Sequence, residues 1–221
     1  MKLVIISPPE SIQDETEIIV DFFENGMQHF HLRKPGFSEE EVDLYLKKLP
    51  EKYHTKIVLH SHHHLLDKYD LRGIHFTKKH FQWSSSRMRK LSNFLKPKGE
   101  DQTISASFHS LSEVLENIEI YNYLFLSPVF DSISKENYHG GFDLKEVKSL
   151  FDQIRNDQTK TAKAEIVSLG GIKPENIHLA FQAGFDGVAA FGSLWTHNDK
   201  AEILNMFKKL NHSCLSYAQS N

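Results

Sequence analysis

From residue 3 to residue 210 the chain alternates short β-like runs with amphipathic helical runs, and that alternation restricts its fold more than any single motif does. Strands are expected at Leu3–Ile6, Gln28–Arg33, Lys56–His60, Gly73–Phe76, Thr103–Phe108, Tyr123–Val129, Glu165–Gly170 and Gly187–Gly192. Eight βα units in series favour a (β/α)8 TIM barrel, an α/β fold, over an open doubly wound sheet. Open sheets of that kind usually have fewer strands and a glycine-rich first turn. The first turn here reads SPPES and has no glycine.

Local signals mark the helices. Ser38 with Glu41 and Ser110 with Glu113 are capping boxes, and Pro174 is expected to open a later helix. Gly26 and Gly184 stand where left-handed C-caps would end helices starting near Asp14 and Pro174. Ile18, Ile19, Phe22 and Phe23 form an apolar stripe that a parallel sheet can cover. Residues 1–210 therefore read as one barrel domain and residues 211–221 as a polar C-terminal tail. The polar stretch from Lys78 to Gln102 is expected to hold a shortened or irregular fourth helix.

Composition excludes several function classes. With 26 basic and 29 acidic residues the net charge is −3, so no global field draws the chain to nucleic acid or an acidic membrane. The opening apolar run is closed by Pro8 and Pro9, too soon for a signal peptide or a membrane span. The single cysteine, Cys214, permits no internal disulfide, and a cytoplasmic location is expected. The run HSHHH, His60 to His64, reads as a solvated helix start. Adjacent histidines on a helix diverge, and no cysteine or carboxylate cluster stands beside them.

In a barrel of this type the site is built at the C-terminal ends of the strands, which selects a short set of residues. Gly170 and Gly171, then Gly192 and Ser193, end strands seven and eight, where phosphate loops recur in these barrels. Arg33, Lys34 and Lys135 add positive charge at the same end, and Ser132 and Ser134 add neutral donors. Together these residues read as two neighbouring anion sites.

The same segments resemble the thiamine phosphate synthase family, which includes the thiazole tautomerases, over nearly the whole chain. HLRKP resembles the family's strand-two segment, SFHS its strand-five segment and SPVFDSISK its strand-six motif. SLGGI and GFDGVAAFGS resemble its two phosphate loops. The resemblance implies a TIM barrel that joins hydroxymethylpyrimidine diphosphate to a thiazole phosphate and releases pyrophosphate. It gives Arg33, Ser132, Ser134 and Lys135 to the diphosphate, and Gly170, Gly171, Gly192 and Ser193 to the thiazole phosphate.

Two departures accompany the likeness. Family synthases organise Mg2+ with an Asn-Asp pair after strand three and an Asp after strand four. The matching positions here are His60, Ser61 and His80, poor ligands for a hard cation, so Mg2+ is the cofactor the resemblance implies while no metal-ligating set is assigned. Pro35 stands where the family has its strand-two lysine, with Lys34 beside it. The histidines at the rim, His31, His60, His75, His109 and His139, offer instead the proton shuttle that a tautomerase needs. Among these, His31 is a catalytic candidate, and His60 and His109 are substrate-binding candidates. A non-catalytic binder of thiamine or precursor phosphate is a third reading. Expected partners are small phosphorylated substrates, with a homodimer as the assembly allowed.

Overall fold

The computed structural model describes residues 2–77, 102–131, 141–159, 164–197 and 199–218. Eight parallel strands close into a barrel in chain order: β1 (Lys2–Ile6), β2 (His29–Leu32), β3 (Ile57–Leu59), β4 (Gly73–Phe76), β5 (Thr103–Phe108), β6 (Tyr123–Leu126), β7 (Glu165–Leu169) and β8 (Gly187–Ala190). Closure is made by β8 pairing with β1, with Leu3 opposite Val188 and Val4 opposite Ala189. All eight expected strands form, several of them shorter at their C-terminal ends. There the chain leaves the ladder for the loops that line the site.

The period of two sorts each strand into two cores. Leu3 and Ile5 join the outer layer between barrel and helices, whereas Val4 and Ile6 join Tyr123, Phe125, Val167 and Ala189 inside the barrel. The outer layer is covered by α1 (Glu15–Glu24), α2 (Glu39–Lys48), α3 (Leu111–Asn117), α4 (Leu144–Asn156), α5 (Ile177–Gln182), the short α6 (Gly192–Trp195) and α7 (Lys200–Ala218). Both capping boxes form, on α2 and α3.

The expected C-cap glycines are left-handed, Gly26 at φ 98° and Gly184 at φ 89°. Each closes a Schellman pair. Gly26 N–H donates to Phe23 and Met27 N–H to Phe22, and Gly184 and Phe185 repeat the pattern with Phe181 and Ala180.

Three expectations change. The helix expected from Pro174 begins at Ile177, because Asn176 and the turn before it hold the preceding residues. Residues 211–218 are not a tail. They complete α7, whose Ile203, Phe207, Leu210 and Cys214 recur at helical spacing and are buried. The segment HSHHH is not a solvated helix start either. His62 is left-handed, His63–Asp67 is a 3-10 turn, and His60 and His63 are buried. The expected fourth helix falls almost wholly in residues 78–101, outside those described.

Candidate active site

At the C-terminal ends of the strands lies a cavity of about 360 Å3. Arg33 reaches it from the end of β2, His60 from β3, His75 from β4 and Ser107 from β5. Gly170, Gly171 and Gly192 bring the loops after β7 and β8 to the same space. Phe125, Leu169 and Phe191 give it an apolar wall.

Arg33 is fixed through its backbone. The Ser7 hydroxyl accepts from Arg33 N–H at 2.8 Å and donates to Arg33 C=O at 3.1 Å. The next residue, Lys34, takes no part in the cavity, which corrects the expectation that it binds substrate. Its Nζ is buried in a bond to Glu15 Oε2 at 2.6 Å and a bond to the Glu10 carbonyl at 2.8 Å. Tyr45 O–H donates to the other Glu15 oxygen at 2.8 Å. Burial lowers the Lys34 pKa while Glu15 opposes the shift, so this cation is spent on a structural pair.

His31 is not at the rim. It is fully buried inside the barrel, with Nδ1 2.9 Å from His60 Nε2 and Nε2 2.7 Å from the Tyr123 hydroxyl. His75 lies against both other imidazoles, its Nδ1 2.8 Å from Ser105 Oγ and its Nε2 2.8 Å from Ser107 Oγ. Burial first, and neighbouring cationic forms second, hold His31 and His60 well below the usual imidazole range. Burial likewise pushes Tyr123 up to about 12, so it keeps its hydrogen.

His109 lines the cavity with Nδ1 2.8 Å from the Ser127 carbonyl. A carbonyl only accepts, so Nδ1 carries the hydrogen and Nε2 is the nitrogen left to accept a hydrogen bond. Ser193, at the start of α6, is buried, and its Oγ has no hydrogen-bond partner among the described residues.

The glycines after β7 answer to packing as well as to the cavity. Gly170 and Gly171 have φ of 99° and 65°. A Cβ on Gly170 would lie 2.9 Å from Pro128, and one on Gly171 would lie 2.3 Å from the Asp131 carbonyl oxygen. The β6 loop therefore nests against the β7 loop only because both positions lack side chains. Ser132, Ser134, Lys135 and His139 lie outside the described residues, as does His80.

The geometry puts Arg33, His60 and His109 with the glycine loops. Lys34 and His31 belong to the scaffold around them. Sequence reading named His75 only as one rim histidine among several. Its inward position on β4, in register with Ser105, is the strand alternation that could have singled it out.

These features define a (β/α)8 barrel with a polar, cation-bearing site at the mouth, the arrangement of barrels that handle small anionic ligands. The thiamine monophosphate synthase (TMP-TENI) family model matches residues 3–194, and the chain belongs to that family. It is 24% identical to the thiamine-phosphate synthase of Flavobacterium psychrophilum, over 94% of this chain and 98% of that one. Thiamine-phosphate synthase of Lysinibacillus sphaericus is also 24% identical, over 91% and 90%. The crystal structure of thiamine phosphate pyrophosphorylase from Bacteroides thetaiotaomicron superposes with a TM-score of 0.74 and 28% identity, covering 97% of this chain and 98% of that one.

Mg2+, which family synthases hold on carboxylates, does not fit the described site. No Asp or Glu stands among the described residues that line the cavity, and the buried donors there are imidazole nitrogens.

Proposed function

We propose that this chain is a thiamine-phosphate synthase, joining hydroxymethylpyrimidine diphosphate to a thiazole phosphate with release of pyrophosphate. The observation that carries this reading is the single cavity that Arg33 shares with the glycine loops after β7 and β8, in a chain of this family. Two anionic substrates must meet there with their reacting atoms adjacent.

The thiazole nitrogen lone pair forms a bond to the pyrimidine methylene carbon, and the carbon–oxygen bond to the diphosphate breaks, its electrons leaving with pyrophosphate. Charge builds on the leaving group, so fixed cations and donors around it lower the barrier more than a base would. Arg33 supplies a planar fork for phosphate oxygens, with Ser132, Ser134 and Lys135 assigned to the same group by family resemblance. Gly170, Gly171, Gly192 and the Ser193 hydroxyl are assigned to the thiazole phosphate. The apolar wall at Phe125 and Phe191 takes the ring faces. The substrates are small phosphorylated molecules, and the setting is the cytoplasm.

The test is product formation by the full chain supplied with both substrates. Thiamine phosphate and pyrophosphate should appear in equal amounts. Arg33→Ala should reduce turnover by about 100-fold, as loss of one oxyanion donor does. Absence of product from the unaltered chain would sink the reading.

One observation favours a second reading. Three histidines, His60, His75 and His109, line the cavity, and a thiazole phosphate tautomerase needs only a proton shuttle. Isomerisation that persists in chelator and is lost in His109→Gln would select it.

A further inference from the structure

We propose that His31, His60 and His75 form a three-imidazole site for a borderline divalent cation, with Zn2+ the representative ion, at the floor of the cavity. One ring nitrogen from each lies within 4.8 Å of the others, and all three side chains are buried. His31 and His75 stand on β2 and β4, and His60 directly follows β3 with its N–H donating to the Leu32 carbonyl at 3.1 Å, so the barrel holds the three together.

The donor set decides the class of ion. Imidazole suits Zn2+, Co2+ and Ni2+, whereas Mg2+ takes oxygen ligands in an octahedron. A tetrahedral ion with bonds of about 2.0–2.1 Å holds its ligand nitrogens roughly 3.3 Å apart. The His31 and His60 nitrogens lie 2.9 Å apart in a hydrogen bond that an ion would replace, and His75 would turn out of its stack on His60 and give up one of its two serine contacts.

Outer partners are in place for two of the three ligands. Histidine ligands generally hydrogen-bond through their second nitrogen, which fixes the ring. His31 has Tyr123 on its second nitrogen, and His75 keeps Ser105 or Ser107 whichever nitrogen it offers. With Nε2 turned to His31, His60 is left with a buried Nδ1 that has no hydrogen-bond partner among the described residues. His60 and His75 also line the cavity, so a bound cation would keep a coordination position open toward it, the arrangement of catalytic rather than structural zinc. There it would polarise a phosphoryl oxygen. The inference does not depend on thiamine phosphate formation, because its test reads binding alone.

The full chain, stripped with chelator, is titrated with Zn2+ by calorimetry and with Co2+ by visible absorption. One cation per chain and the intense bands of four-coordinate Co2+ are expected, unaffected by excess Mg2+. Loss of one ligand in His60→Ala or His75→Gln should weaken binding beyond the roughly 10–100-fold that outer partners are worth. A double variant of two histidines outside the trio, the half-buried His62→Gln with the exposed His64→Gln, should bind as the unaltered chain does. Should a trio variant fail to fold, the Co2+ spectrum of the unaltered chain still decides. No saturable binding, weak six-coordinate bands, displacement by Mg2+, or full affinity in folded trio variants would each overturn the site.

Discussion

The two halves of the barrel interior are built from opposite materials. On β1, β6, β7 and β8 the inward positions are Val4, Ile6, Phe125, Val167 and Ala189. Across from them β2 to β5 supply His31, His60, His75, Ser105 and Ser107, with Tyr123 joining the two sides. Period and depth are shared. The difference teaches that burial alone does not set the stabilising force. The apolar half is held by area and close packing, which are non-directional. The polar half is held by completed hydrogen bonds, which fail when one member is removed.

The largest effect should come from the apolar half. Phe125→Ala removes a fully buried ring and should cost about 3–5 kcal/mol, read by urea unfolding. His31→Leu tests the other half, since it keeps much of the volume but strips a partner from both His60 and Tyr123. At about 1–3 kcal/mol for each orphaned group, less the apolar gain, a loss of about 2–4 kcal/mol is expected. A neutral or stabilising His31→Leu would break the comparison.

Acid should separate the halves as well. His31, His60 and His29 have folded pKa values below the unfolded imidazole value, His29 at about 3. Between about pH 6.5 and the folded values the unfolded chain binds more protons. The contribution is therefore fully present above pH 6.5 and is lost as pH falls, by up to about 1.4 kcal/mol per pH unit for each histidine. Unfolding midpoints measured from pH 7.5 to 5 should decline in the unaltered chain and decline less in His31→Leu. A flat profile would mean that His29, His31 and His60 are not held neutral. Smallest of the four, Tyr123→Phe should cost about 1 kcal/mol, the worth of one ordinary hydrogen bond.

Local signals made most of the fold legible. Strand alternation, two capping boxes and two C-cap glycines each depend on residues within a few positions of one another, and the structure contains them all. Partnerships across the chain were not legible. Lys34 looked like a site cation because Glu15, 19 positions earlier, gives no local sign of turning toward it. The His31–His60 contact spans 29 positions, and the run HSHHH suggested solvated neighbours when its first member points inward. The C-terminal helix was masked by polar residues between Leu210 and Cys214, although its apolar positions keep helical spacing.

The unequal fates of Arg33 and Lys34 bear on the entropy of ligand capture. Ser7 grips the Arg33 backbone from both sides, and Lys34 fastens the same turn to Glu15 and to the Glu10 carbonyl. Folding has therefore already immobilised the peptide that carries the guanidinium. An incoming anion needs to order only the side-chain rotors of Arg33, each immobilised side chain costing about 0.5–1.5 kcal/mol. A lysine outside the cavity thus makes its neighbour stiff.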